Sequence, residues 1–323
     1  MDELFAFVHD LAFRCAVESF FGESMFKLNP DHQTEFLAFE DNVPFLASVK
    51  KWRKKAVRNS ANLPESDTAT WESVWGLQAL RRRNKLFEAT EGLFDEEATA
   101  ATDLATIWAF TSNVIPASFW FLFEIFRLNQ LLDRARADIG ISKETTGSID
   151  PTKVVHTPFL QSVYAEALRL HSASLITRSP KQEHKVDEWI IPKDQAVVIS
   201  THVEHRSSYW NTVDPITGTH HPPSSFYAER FLVWDENEND QFSTGGTQGL
   251  WMPYGMGEHM CPGRHIAKYK LMLVFAVLVD IFDIELITPP GWAPDDDHKR
   301  YRFGTLRPKQ KVSFRVRKRV TPL

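Results

Sequence analysis

One cysteine stands where the backbone is freest to turn. In WMPYGMGEHMCPGRHIAKYK, residues 251–270, Gly255, Gly257 and Gly263 surround Cys261, and Pro262 follows it at once. Those glycines allow positive φ and let the backbone approach something flat or bulky. Pro262 suits the first turn of a helix, which sets Cys261 at that helix's N-terminus. Orphan amides and the positive dipole end favour an anion there, so a thiolate is expected. Shielded by apolar neighbours, such a sulfur is a poor general nucleophile and a good axial ligand for iron. The run from Arg264 to Leu286 reads as the helix behind it, apolar almost all round and therefore buried. Other uses stay open at this level. His259, Cys261 and His265 could begin a zinc site, but no fourth ligand stands at a usual spacing. A nucleophilic cysteine needs a histidine base and an orienting group, which spacing alone does not single out among twelve histidines. A lone cysteine also serves as plain structure.

The neighbours of Cys261 narrow this. YGMGEHMCPG resembles the haem-binding signature F-x-x-G-x-x-x-C-x-G of the cytochrome P450 family in every position but the first, where Tyr254 replaces phenylalanine and keeps an aromatic ring near the sulfur. The resemblance implies haem b (iron protoporphyrin IX), with Cys261 as the proximal ligand of its iron. It also implies a haem-binding loop over 250–264, in which Tyr254, Gly257 and Gly263 receive the ring. His259 is similar to the basic residue that faces a haem propionate. Arg178 sits where many members place an arginine on a propionate, with a surface arginine before a hairpin as the equal alternative.

Further landmarks follow in order. Glu166-Ala-Leu-Arg169 matches E-x-x-R, on a helix expected over about 157–171, and its spacing alone puts both side chains on one face. Phe226-Tyr-Ala-Glu-Arg230-Phe looks like the family's P-E-R-F segment, with Ala228 at the proline position. The resemblance makes Glu166, Arg169 and Arg230 a structural cluster that clamps the cysteine-bearing segment. WIIPKDQAVV is similar to the I-P-K-G strand pair, with Asp194 for glycine. Val186 to Ser200 is accordingly expected as two short strands joined in a hairpin through Pro192-Lys193-Asp194.

Between Asp103 and Glu124 lie 20 uncharged residues, LATIWAFTSNVIPASFWFLF. They are long enough to cross a bilayer. Thr106, Thr111, Ser112, Asn113, Pro116 and Ser118, grouped near the middle, favour a buried central helix instead. The stretch resembles the long helix on the distal haem face, expected over about 103–137. Ala109 then keeps the small residue beside the iron, and Ser112 and Asn113 replace the usual acid–alcohol pair that relays protons. Pro116 is expected to kink the helix and free a carbonyl. This segment most resembles the subgroup of sterol 7α- and 12α-hydroxylases and prostacyclin synthase.

The expected activity is a haem-dependent monooxygenase that hydroxylates an apolar, lipid- or sterol-like molecule. It would use O2 and electrons from an NADPH–cytochrome P450 reductase-type donor. Alternatives are an isomerase of the prostacyclin synthase type and a non-catalytic fragment. Residence on the cytosolic face of the endoplasmic reticulum membrane is implied for a full-length relative. The chain begins partway through the family's pattern, so the expectation is a P450 fold, mainly α with small β-sheets, without its N-terminal portion.

The remaining elements must position these residues. Leu4, Val8, Leu11 and Cys15 fall at helical spacing up to Gly22, with Cys15 expected in the core. VKKWRKKAVR, residues 49–58, reads as a solvated helix face, and residues 72–94 as another helix. Residues 140–152 form a loop by composition, 205–250 an irregular segment, and KVSFRVRKR a closing strand. One domain is expected. A net charge of -5 and pI near 6.2 give no reason to expect nucleic acid as a partner. Cys15 and Cys261 are the only cysteines, which favours a reduced compartment, and MDELFAF lacks the basic and apolar regions of a signal peptide.

Overall fold

The first helix shows how the apolar spacing is used. In the computed structural model, α1 (Leu4–Phe21) buries Leu4, Val8, Ala12, Phe13, Ala16, Val17 and Phe21. It stops at Gly22, whose φ of 74° suits a residue without Cβ. Cys15 falls on the opposite side and is exposed, so the core placement expected for it is corrected: the buried stripe turns past it. The structure describes residues 3–28, 30–31, 53–54, 77–90, 92–235, 239–300, 303–320 and 323. Apart from Arg53 and Lys54, the basic run over 49–58 lies outside the described residues.

The chain forms two compact units: Ala6–Ile115, and Met1–Phe5 with Pro116–Leu323. The first holds most of α1, then α2 (Ser24–Leu28), α3 (Gln78–Ala89) and α4 (Glu96–Thr111). Asp95 caps α4 by accepting from the Ala98 amide at 2.7 Å. Inside this unit Phe20 stacks on Phe110 at 3.8 Å. Fully buried Asp103 meets the guanidinium groups of Arg53, at 3.5 Å, and Arg83. Burial, with Arg53 adding to it, lowers the Arg83 pKa to about 10.

The single helix expected over 103–137 is three helices. α4 ends at Thr111, α5 runs Val114–Phe126 and α6 runs Asn129–Ile141. Pro116 accounts for the first break: it has no amide to give the carbonyl four residues earlier, at Ser112, and its ring crowds that carbonyl. Although Glu96–Phe126 is long and apolar enough to cross a membrane by composition, 83% of its most apolar window is buried within the protein.

The larger unit continues with α7 (Pro151–His156), α8 (Pro158–His171) and β1 (Ser172–Arg178). A three-stranded antiparallel sheet has β1 at its centre, between β11 (Phe303–Thr305) and β4 (Val197–Ser200). β2 (His184–Val186) pairs with β3 (Trp189–Ile191). The hairpin expected across Pro192–Asp194 is therefore absent, because each flanking run finds another partner. Asp194 instead takes a φ of 62° in the turn, the conformation that glycine would adopt freely.

α9 (Thr201–Glu204) comes next, and within 205–250 lie the short pairs β5 (Thr212–Val213) with β6 (His220–His221) and β7 (Leu232–Trp234) with β8 (Asp240–Phe242). Helix α10 spans Arg264–Ile281, and the residues expected to prolong it form β9 (Phe282–Leu286). β9 pairs with β13 (Phe314–Lys318). The β-branched and aromatic content of this closing segment suits a strand better than a helix turn. β10 (Asp296–Asp297) and β12 (Arg307–Pro308) complete the set. The core of this unit includes Trp120, which stacks on His171 at 3.6 Å and donates to the Leu306 carbonyl at 2.8 Å. Ala165, Trp210 and Phe231 form a second cluster, with Phe242, Leu250 and Trp251 packed on it.

Candidate functional site

Cys261 is held by its own loop. Its amide donates to the Tyr254 carbonyl at 2.9 Å, which closes the turn that includes the 3-10 segment Gly257–His259. Gly255 and Gly257 have φ of 74° and 70°, where a side chain would be strained. A Cβ on Gly263 would stand 3.8 Å from the Cys261 sulfur. The cysteine is exposed. Gly263 caps α10, so Cys261 and Pro262 precede the helix; the expected placement of Pro262 in the first helical turn is corrected. The helix is also less buried than its composition predicts. Its inward residues are Leu271, Met272, Phe275, Ala276, Leu278 and Val279, while Ile266 and Tyr269 near the cysteine are exposed.

Arg178 reaches this loop from the end of β1. Its guanidinium donates to the Met256 carbonyl at 2.6 Å and stands 3.6 Å from the place a Gly257 Cβ would take. His259 closes the 3-10 segment and is exposed. No group of three or more His, Cys, Asp or Glu that could hold a metal ion occurs among the described residues, so the zinc alternative has no ligand set.

Behind the loop lies α8, buried from Phe159 to His171 apart from Gln161. Glu166 and Arg169 form a two-pronged ion pair at 2.7 and 2.8 Å, and Arg230 donates to the same carboxylate at 2.9 Å. The Tyr227 amide adds a fourth donor at 3.1 Å. Spare guanidinium hydrogens go to carbonyls, among them Pro223 at 2.7 Å and Ser225 at 3.2 Å. Buried charge is tolerable here because every side of it is met.

Three contacts that sequence reasoning missed tie the loop to this helix. The Tyr254 hydroxyl pairs with that of Tyr164. Trp251 donates from its indole to the Ala165 carbonyl at 3.1 Å. The Met252 amide donates to His205 Nε2 at 2.9 Å, while the His205 carbonyl accepts from Arg169. Burial first, and Tyr254 next, push the Tyr164 phenol well above its ordinary pKa. Burial drives Tyr254 up to about 12, with the nearby Cys261 adding to it. His205 is lowered to about 3 by burial and then by Arg169, which leaves it neutral and able to accept. Tyr164 and His205 carry no spacing signal, since each acts through one atom on a distant segment.

Ala109, Ser112 and Asn113 belong to the other unit. Ala109 is exposed on α4, and Ser112 and Asn113 occupy the break before α5. The Ser112 hydroxyl is buried with no hydrogen-bond partner among the described residues.

A family model described as Cytochrome P450 matches residues 20–314. The chain belongs to the cytochrome P450 family. It is 31% identical to Cytochrome P450 monooxygenase efuG of Hormonema carpetanum, over 99% of this chain and 64% of that protein. It is 26% identical to Cholesterol 7-alpha-monooxygenase of Cricetulus griseus, over 97% of this chain and 66% of the relative. A 5-beta-cholestane-3-alpha,7-alpha-diol 12-alpha-hydroxylase of Sus scrofa is 25% identical, over 99% and 67%. The chain thus spans about two thirds of the length of these P450 relatives. Membership implies a haem cofactor, and the residues fit one: an exposed sulfur, a glycine lining that Cβ atoms would fill, and the Arg178 guanidinium at its border.

Proposed function

We propose that this P450 chain serves a haem-thiolate monooxygenase that hydroxylates an apolar, lipid- or sterol-like substrate. Cys261 supports the reading most directly, because the loop presents its sulfur, exposed, between glycines that leave room for a flat ring. Cys261 would hold the iron of haem b, and Arg178 and His259 would meet the propionates. When bound, the haem supplies oxygen activation, which thiolate ligation favours. The chain's part is to fix the sulfur, neutralise the ring's acid groups and move protons.

For the protons, the reading assigns Ser112 and Asn113, with Ala109 leaving space for oxygen and substrate. The break in the helix supports this assignment, since the Ser112 hydroxyl there is buried with no hydrogen-bond partner among the described residues. Glu166, Arg169 and Arg230 would act as structure, locking the floor beneath the cysteine loop. An NADPH–cytochrome P450 reductase-type donor would supply electrons at the cytosolic face of the endoplasmic reticulum. The names of the relatives favour hydroxylation of sterol-like molecules over isomerisation.

Turnover with labelled dioxygen decides the reaction type. The reading expects one labelled oxygen atom in the product and one NADPH consumed for each product formed. Product formation with no reductase, no NADPH and no label contradicts it and favours isomerisation.

A further inference from the structure

The tyrosine at position 254 raises a physical demand that phenylalanine would not. Its hydroxyl is partly buried and calls for a partner, and among the described residues that partner is Tyr164, 5% exposed on α8. The same Tyr254 gives its carbonyl to the Cys261 amide at 2.9 Å. A continuous path therefore runs from α8 through two phenols to the backbone of the cysteine. α8 is a firm anchor, because its Glu166 and Arg169 are fully buried and paired on all sides. Trp251 and Lys268, bonded to Ala165 and Gln161, brace the flanks of the loop against the same helix. Of these braces to α8, the phenol pair is the one whose loop residue also bonds the Cys261 backbone.

We propose that Tyr164 is a positioning residue for Cys261: acting through Tyr254, it fixes the direction in which the sulfur meets the haem iron. The proposal rests on Cys261 being the iron's ligand. Tyr164 touches neither haem nor substrate in this role, and no proton or electron passes through it.

The test uses the full chain with haem, as wild type, Tyr164→Phe, Tyr254→Phe and the double variant, at matched haem content and matched far-ultraviolet circular dichroism. The readout is the half-life of the red-shifted, thiolate-ligated band of the reduced carbon monoxide complex. Each single variant is expected to shorten it by about fivefold, the size of one buried hydrogen bond, with no further loss in the double variant. Tyr254→Phe guards the test against a folding failure at Tyr164, since the family pattern itself carries phenylalanine there. A half-life unchanged in Tyr164→Phe, or single losses that multiply in the double variant, overturns the proposal. A wild type without the thiolate band overturns the ligation on which the proposal rests, and does so before any variant is compared.

Discussion

At the scale of residues, the best-determined feature is the meeting of Glu166 with Arg169 and Arg230. All three side chains are at most 2% exposed, and among the described residues Glu166 is the carboxylate that balances both guanidinium groups. Glu166→Gln keeps the shape and removes the charge, leaving buried arginines uncompensated. We expect a loss of about 3–5 kcal/mol in stability, read from urea unfolding. Arg230→Lys should also fail to substitute, since an ammonium cannot serve Glu166, Thr212 and Ser225 together as the planar fork does. The Glu–Arg spacing showed that Glu166 and Arg169 share a face. It could not bring in Arg230 or the Tyr227 amide, which lie far along the chain and came only through the resemblance or not at all. Tyr164 was invisible for a similar reason: a tyrosine on an apolar helix face looks like core until its hydroxyl finds Tyr254.

Elements were legible where one local force dominates and were misread where partners compete. α1 and α8 followed their apolar stripes, and Pro116 marked the break before α5. Strand pairing did not follow proximity. Val197–Ser200 leaves the turn and joins β1, whose Leu175–Arg178 half offers four ladder partners, so β3 is left to β2. The turn between β3 and β4 holds Asp194 at positive φ, and its amide donates to the Pro180 carbonyl at 2.9 Å. Asp194→Gly should change the thermal midpoint little, because relief of the left-handed strain is offset by a more flexible unfolded chain. Asp194→Val should cost about 1–2 kcal/mol, visible as a lower midpoint. The end of α10 was read too late, and the β-branched and aromatic residues after Ile281 pair with β13 instead.

For the whole molecule, acidity is the most telling variable. His205 and His202 are held down, to about 3 and about 4, by burial and then by arginines. In the unfolded chain each would take a proton near pH 6.5. Their neutrality in the fold therefore stabilises fully above that pH and is lost progressively as pH falls toward the folded values. His205→Gln should reduce the slope of unfolding free energy against pH by about 0.7 kcal/mol per unit at pH 6.5, rising toward about 1.4 near pH 5. Because His205 accepts from the Met252 amide, the same titration reaches the cysteine loop.

The central claim concerns the sulfur of Cys261, and the reduced carbon monoxide difference spectrum tests it most directly, with wild type and Cys261→Ser compared at equal protein and added haem. The account predicts the red-shifted thiolate band in wild type and its complete loss in Cys261→Ser. A serine variant that holds haem with the same band, or a wild type that never shows it, contradicts the account.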